Sequence, residues 1–171
     1  MIQILLIGIG NTLRSDDGAG VHAVQRLAER FPSVASVCVQ ELLPELAEPV
    51  AHCDRLICID ASVSCTQLRL TRLQAARSDF AQDSHAHSLQ HLLWLARAVY
   101  RRQPRQAVLV EIPASGFAFG ESLSPATEAM VTACVEMVGE ILANGRLPDP
   151  KQPLRSRKRS SPHAQRALPE P

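Results

Sequence analysis

An acidic pair, Asp16-Asp17, stands inside a glycine-rich run at residues 8–20, GIGNTLRSDDGAG. A Gly-rich turn between a strand and a helix is a common setting for a dinucleotide pyrophosphate. This run departs from that fingerprint. Leu13 stands where the third glycine belongs, and two carboxylates would meet a pyrophosphate with like charge. One carboxylate at a helix N-terminus is ordinary capping, because free N–H groups and the helix dipole favour it. Two in succession, followed by Gly18 and Gly20, exceed what capping requires. Asp17 therefore reads as a functional carboxylate.

A second carboxylate, Asp60, follows the apolar run 56–59 (LICI). In open α/β sheets ligands bind in the crevice outside the strand carboxyl ends. Asp60 reads either as a group lining that crevice or as a residue that turns the chain before Ala61. The third element is Ser84-His85-Ala86-His87, ahead of an amphipathic stretch. A helix returning in the usual crossover would carry His85 to the same sheet edge. His87 and His91 sit at i, i+4, but no Glu follows His87 as a metalloprotease helix demands, so they read as solvated helix side chains. Two carboxylates and one imidazole suit a divalent transition metal with open positions. Neither GxSxG nor HExxH occurs, and no cysteine lies in an activating setting. A hydrolase built here would activate water through a metal or a carboxylate.

The elements that must position these groups are legible from periodicity. Residues 2–7 (IQILLI) form a continuous apolar run, as expected of a buried parallel strand. Val21, Val24, Leu27 and Ala28 fall at helical spacing over 18–31, and Pro32 ends that helix. Residues 34–43 read as a second strand, 44–50 as a short helix with proline in its first turn, and 56–59 as a third strand. The alternation QLRLTRL at 67–73 predicts a strand with one wet face at a sheet edge. Residues 88–101 are helical and 107–112 form a fifth strand. Ser124-Pro125 opens a last helix, which Asn144-Gly145 closes. Strands alternating with helices predict an α/β fold, a single domain with an open, mostly parallel sheet.

Composition sets the outer limits. The chain has 171 residues, enough for one domain with a proper core. Residues 146–171 carry seven Lys or Arg and two acids, whereas residues 1–145 carry 11 basic and 15 acidic side chains. The domain 1–145 is thus mildly acidic and ill suited to gripping a phosphate backbone, so no nucleic-acid partner is expected. The stretch 146–171, rich in Pro, Arg and Ser, cannot bury enough surface to offset its ordering entropy and reads as a disordered tail. Five cysteines without a CxxC argue against a disulfide framework or structural zinc, and read as buried thiols. No apolar run reaches membrane length. A cytoplasmic monomer without a membrane partner is expected.

The ordered blocks then resemble a known family. Gly8-Ile9-Gly10-Asn11-Thr12-Leu13 and Ser15-Asp16-Asp17-Gly18-Ala19-Gly20 are similar to the signature of the hydrogenase maturation proteases. The resemblance continues through Leu43-Pro44-Glu45-Leu46-Ala47, Ile59-Asp60-Ala61, Ser84-His85, and Phe119-Gly120-Glu121-Ser122-Leu123-Ser124-Pro125, covering about residues 1–143. It implies a twisted, mostly parallel five-stranded sheet flanked by helices on both faces. It implies an endopeptidase that removes the C-terminal peptide of a nickel–iron hydrogenase large-subunit precursor after nickel insertion. The family's metal-contacting positions fall on Asp17, Asp60 and His85, with His87 the neighbouring alternative for the third. Nickel is then supplied by the substrate rather than held by the free enzyme. Two other readings of the same residues are a nucleotide-binding α/β module and a non-catalytic docking factor for the nickel site of the precursor.

Overall fold

The opening apolar run becomes β1 (Ile4–Ile9), at the heart of the sheet, buried along nearly its whole length. It runs two residues past its expected end, because the chain turns only at Gly10, where φ is +139°. The computed structural model describes residues 3–77 and 85–145. The stretch 146–171 expected as a tail, and Ser84, lie outside the described residues.

After β1, a 3-10 turn (Ser15–Gly18) leads into α1 (Ala19–Arg30). Next come β2 (Ala35–Val39), a second 3-10 turn (Pro44–Leu46) and α2 (Ala47–His52). The chain continues through β3 (Arg55–Ser62), β4 (Arg69–Arg72), α3 (His85–Tyr100), β5 (Gln106–Pro113) and α4 (Pro125–Asn144). The sheet order is β2-β1-β3-β5-β4. β1, β2, β3 and β5 run parallel, and β4 lies antiparallel to β5 at one edge, as its wet-faced alternation predicts. The fold is thus an α/β single domain with a mostly parallel five-stranded sheet.

Successive side chains of a strand point to opposite faces, and both faces here are apolar. Leu5, Ile7 and Ile9 of β1 pack in one core with Val50 of α2 and Leu89 and Leu92 of α3. Leu6 packs in the other with Ala23, Val24 and Leu27 of α1 and with Val131, Cys134 and Val138 of α4. Full burial of each such Leu, Ile or Val contributes roughly 1.5–3 kcal/mol. This two-sided burial explains why the central strands read as continuous apolar runs rather than alternating ones. The last helix ends as its residues dictate. The Ser124 side chain accepts a hydrogen bond from Thr127 N, Pro125 takes the first helical position, and Gly145 adopts the left-handed conformation at φ 63°.

α1 carries the chain from β1 outward to β2, and α2 returns it on the opposite face to β3, on the other side of β1. The winding reverses between β1 and β3, and the crevice outside the carboxyl ends at such a switch point is where open α/β sheets bind ligands. Cys53, Cys58 and Cys134 are buried, as expected. Cys38 is exposed instead, because β2 is the other edge strand. Among the described residues no helix is long and apolar enough to cross a membrane.

Candidate active site

The loop after β1 supplies the first carboxylate. Asp17 N donates to Arg14 O at 3.1 Å, and Asp17 Oδ2 accepts from Asn11 N at 2.9 Å, so the loop folds back on itself around this side chain. Two glycines make that possible. A Cβ on Gly10, already at a left-handed φ, would lie 1.9 Å from Asp17 O. A Cβ on Gly20 would lie 2.3 Å from Ile59 O and 2.5 Å from Ile9 O. Each glycine thus lets the backbone approach the chain's own carbonyl groups more closely than any side chain would permit. Gly20 lets α1 begin directly against the ends of β1 and β3, and so brings Asp17 beside Asp60.

Asp60 lies within the last turn of pleat of β3, opposite Glu111 of β5, and is buried. Its partner comes from α3. The helix starts three residues earlier than periodicity suggests, so His85 is its first residue. His85 Nδ1 stands 2.6 Å from Asp60 Oδ2. A carboxylate can only accept there, so Nδ1 carries the proton and Nε2 is the nitrogen not engaged by Asp60. His85 is half-exposed where Asp60 is not. The bond to Asp60 raises the His85 pKa against the opposing effect of burial, and the charges of Asp60 and Asp17 add to the rise. Burial raises the Asp60 pKa, and it outweighs the lowering by His85, while the Asp17 charge pushes the same way as burial. The three predicted side chains thus share one electrostatic site at the switch point. His87 is exposed on α3, and the His91 ring lies 5.2 Å from that of Trp94. Among the described residues, no group of three His, Cys, Asp or Glu stands close enough to hold a metal ion.

Asp16 has a function that the sequence did not reveal. It is fully buried and reaches across to the loop between β5 and α4. Its Oδ1 accepts from Ser124 N at 2.7 Å; its Oδ2 accepts from Gly116 N at 3.0 Å, Ser124 Oγ at 3.0 Å and Ser115 N at 3.3 Å. Asp16 does not cap the helix that follows it; it holds Ser124, the residue that caps α4. The only local signal was the doubling of Asp, since its partners lie about a hundred residues on. Burial pushes its carboxyl upward, yet the Ser124 and Gly116 donors together hold it below the usual range.

A cavity of about 440 Å³ opens at the opposite edge of the sheet, lined by Arg72, Arg97 and Arg105 among others. It shares no residue with the Asp17–Asp60–His85 group. The strand ends, rather than cavity volume, locate this site.

No family model matches the sequence. The hydrogenase expression/formation protein HupD of Thiocapsa roseopersicina is 30% identical over 151 residues, spanning 82% of this chain and 68% of HupD. Among solved structures, the hydrogenase maturating endopeptidase HybD of E. coli is 25% identical and matches with a TM-score of 0.66 over 84% of this chain and 94% of that one. The [NiFe] hydrogenase maturation protease HycI of Thermococcus kodakarensis KOD1 has the same fold, with a TM-score of 0.64 at 22% identity over 83% and 93% of the two chains. Sequence and fold together make this chain a peptidase that belongs to the hydrogenase maturation protease family.

Proposed function

We propose that the enzyme removes the C-terminal peptide of a nickel–iron hydrogenase large-subunit precursor once nickel has been inserted, and that Asp17, Asp60 and His85 recognise the nickel in that substrate. The observation that carries this reading is the His85–Asp60 hydrogen bond of 2.6 Å beside Asp17 at the switch point.

The donor set fits the task. Carboxylates and imidazole suit a divalent transition metal, and a site without thiolate holds free nickel weakly. It can still dock on an ion whose other ligands belong to the substrate. His85 offers Nε2 and Asp17 the oxygen not bonded to Asn11, while Asp60, bonded to Nδ1 on the other side of the ring, stands behind His85 rather than on the same ion. Asp60 fixes the tautomer and the ring plane of His85, as a carboxylate behind a ligating histidine does. A precursor without nickel lacks the anchor and is left uncut. Peptide hydrolysis also needs a base for the attacking water; with His85 Nε2 on the metal, the remaining lone pairs of the Asp17 carboxylate are what the site keeps for that role. The cytoplasm is the proposed location, and a monomer the proposed state.

The test is to incubate the purified protein with nickel-loaded and nickel-free precursor and to weigh the products. The reading requires loss of a C-terminal fragment from the loaded form alone. Tight binding without any loss of mass would instead identify a docking factor.

A further inference from the structure

We propose that Leu13, Leu43, Val63 and Phe119 form an apolar ring around the Asp17–Asp60–His85 site that docks an apolar surface of the precursor beside its scissile bond. This inference rests on the function proposed above and adds a second, metal-independent element of recognition.

Loops are ordinarily polar at their tips, and isolated exposed apolar residues carry no message. The arrangement here is not scattered. Leu13 is 54% exposed, Leu43 52%, Val63 74% and Phe119 94%. Each lies after a different parallel strand: Leu13 after β1, Leu43 after β2, Val63 after β3 and Phe119 after β5. Parallel strands end at the same edge, so all four loops stand around the crevice that holds the site. The other large exposed apolar side chains among the described residues, Val99 and Tyr100, end α3 at the far edge.

Two members of the ring are also held in place. Gly120 N donates to Leu13 O at 3.0 Å, and Ser15 N donates to Gly120 O at 2.7 Å. This short ladder ties the residue next to Phe119 to the segment that carries Leu13. Asp16, with its bonds to Ser115, Gly116 and Ser124, clamps the same loop on both sides of Phe119. Asp17 N in turn bonds Arg14 O. Phe119 is therefore not exposed for want of a fixed backbone. It is presented by a braced loop, at a set offset from Asp17. A pre-ordered aromatic anchor with aliphatic neighbours is the usual composition of the centre of a protein interface. The ring surrounds the crevice, so whatever inserts a peptide bond there must cover it. The occupant is the protein that brings the bond.

Full-length Phe119→Asp, Leu13→Asp and the double variant test this, with Val99→Asp as a control at the opposite edge. The substrate is the source organism's own nickel-loaded precursor. Each single variant is expected to raise KM about tenfold and the pair about a hundredfold, with kcat within about twofold and an unchanged melting temperature. Val99→Asp keeps the wild-type KM. Wild-type KM in both ring variants overturns the proposal, and so does a loss confined to kcat. If the wild type cleaves nothing, the proposed function fails by itself. Docking is then read from binding to the same precursor: loss of binding in Phe119→Asp supports the ring, and unaltered or absent wild-type binding overturns it. A wild-type dimer in light scattering that Phe119→Asp turns into a monomer assigns the ring to a second copy of the chain and also overturns the proposal.

Discussion

Asp16 and Ser124 are joined twice across 108 positions of sequence: the Ser124 amide bonds Oδ1 at 2.7 Å and its hydroxyl bonds Oδ2 at 3.0 Å. The same hydroxyl accepts from Thr127 N at 3.3 Å, so one buried carboxylate both holds the cap of α4 and braces the first loop. Asp17, the next residue, inherits its position from this brace. The arrangement separates the two halves of the acidic pair. Asp16 holds the loops together, and Asp17 holds the first loop to itself through Asn11.

Asp16→Asn should therefore destabilise the domain at neutral pH by about 2–4 kcal/mol, since it exchanges an ionised acceptor for a group that also turns donors toward donors. The pKa of Asp16 is held below its usual 3.8 in the fold. Its contribution is present above about that value and is lost as pH falls through the folded pKa. Urea unfolding of wild type and variant should thus differ most near neutrality and converge in acid. A gap that is absent at pH 7, or that widens on acidification, would contradict the brace.

The particular residues show what local pattern can and cannot carry. β1 and β3 were legible because burial on both faces leaves an apolar run, and the end of the β3 run marks where Asp60 stands. Asp17 stood out because two acids outnumber the needs of a cap. His85 was legible as a sheet-edge residue, but its place as the first residue of α3 was not, since helix starts follow from tertiary contacts as much as from propensity. The burial expected of Cys38 failed for a different reason. Strand order decides which strand is an edge, and nothing within residues 35–39 encodes that β2 has a neighbour on one side only. The bonds of Asp16 to residues 115–124 were invisible for the same cause, being long-range by nature.

Removing charge at the crevice should leave the fold intact while ending activity. Burial raises the Asp60 pKa, and the Asp17 charge adds to that rise. A carboxyl whose folded pKa is raised favours folding below its ordinary value, and that contribution is lost as pH rises through the folded pKa. At neutral pH Asp60→Asn is therefore expected to be as stable as wild type or slightly more so, and Asp17→Asn likewise. Processing of nickel-loaded precursor should fall at least about a hundredfold in Asp17→Asn, because a neutral amide is a poor partner for a divalent cation, and about ten- to a hundredfold in Asp60→Asn, which loses the carboxylate behind His85. Asp17→Glu, which keeps the charge, should be tolerated best. Near-native cleavage by a well-folded Asp17→Asn variant would remove it from the site.

No cysteine should be required for cleavage. Burial pushes the Cys53 thiol up to about 11 and that of Cys134 up to about 12, and it holds Cys58 well above its ordinary value. Thiols so placed carry almost no thiolate at neutral pH. Single Ala or Ser replacements of Cys38, Cys53, Cys58, Cys65 and Cys134 should each retain processing, once scaled to the folded fraction seen by circular dichroism. Complete inactivity of one folded variant would point to a thiol nucleophile.

The two histidines two residues apart provide the sharpest check on the site. His85 bonds Asp60, and His87 is exposed elsewhere on α3. His85→Ala should abolish processing, whereas His87→Ala should change it less than about threefold. The Asp60 bond raises the His85 pKa above 6.5. The stability this pair contributes is then fully present below about 6.5 and is lost as pH rises through the folded value. In an NMR titration the His85 ring should show a midpoint above the ordinary range, and Asp60→Asn should bring it back down. Those two readouts separate a positioned ligand from a bystander: loss of activity alone could reflect damage to α3, but a midpoint that follows Asp60 reports the pair itself. Activity surviving in His85→Ala and lost in His87→Ala would move the third ligand by two residues and, with it, the face of α3 that meets the substrate.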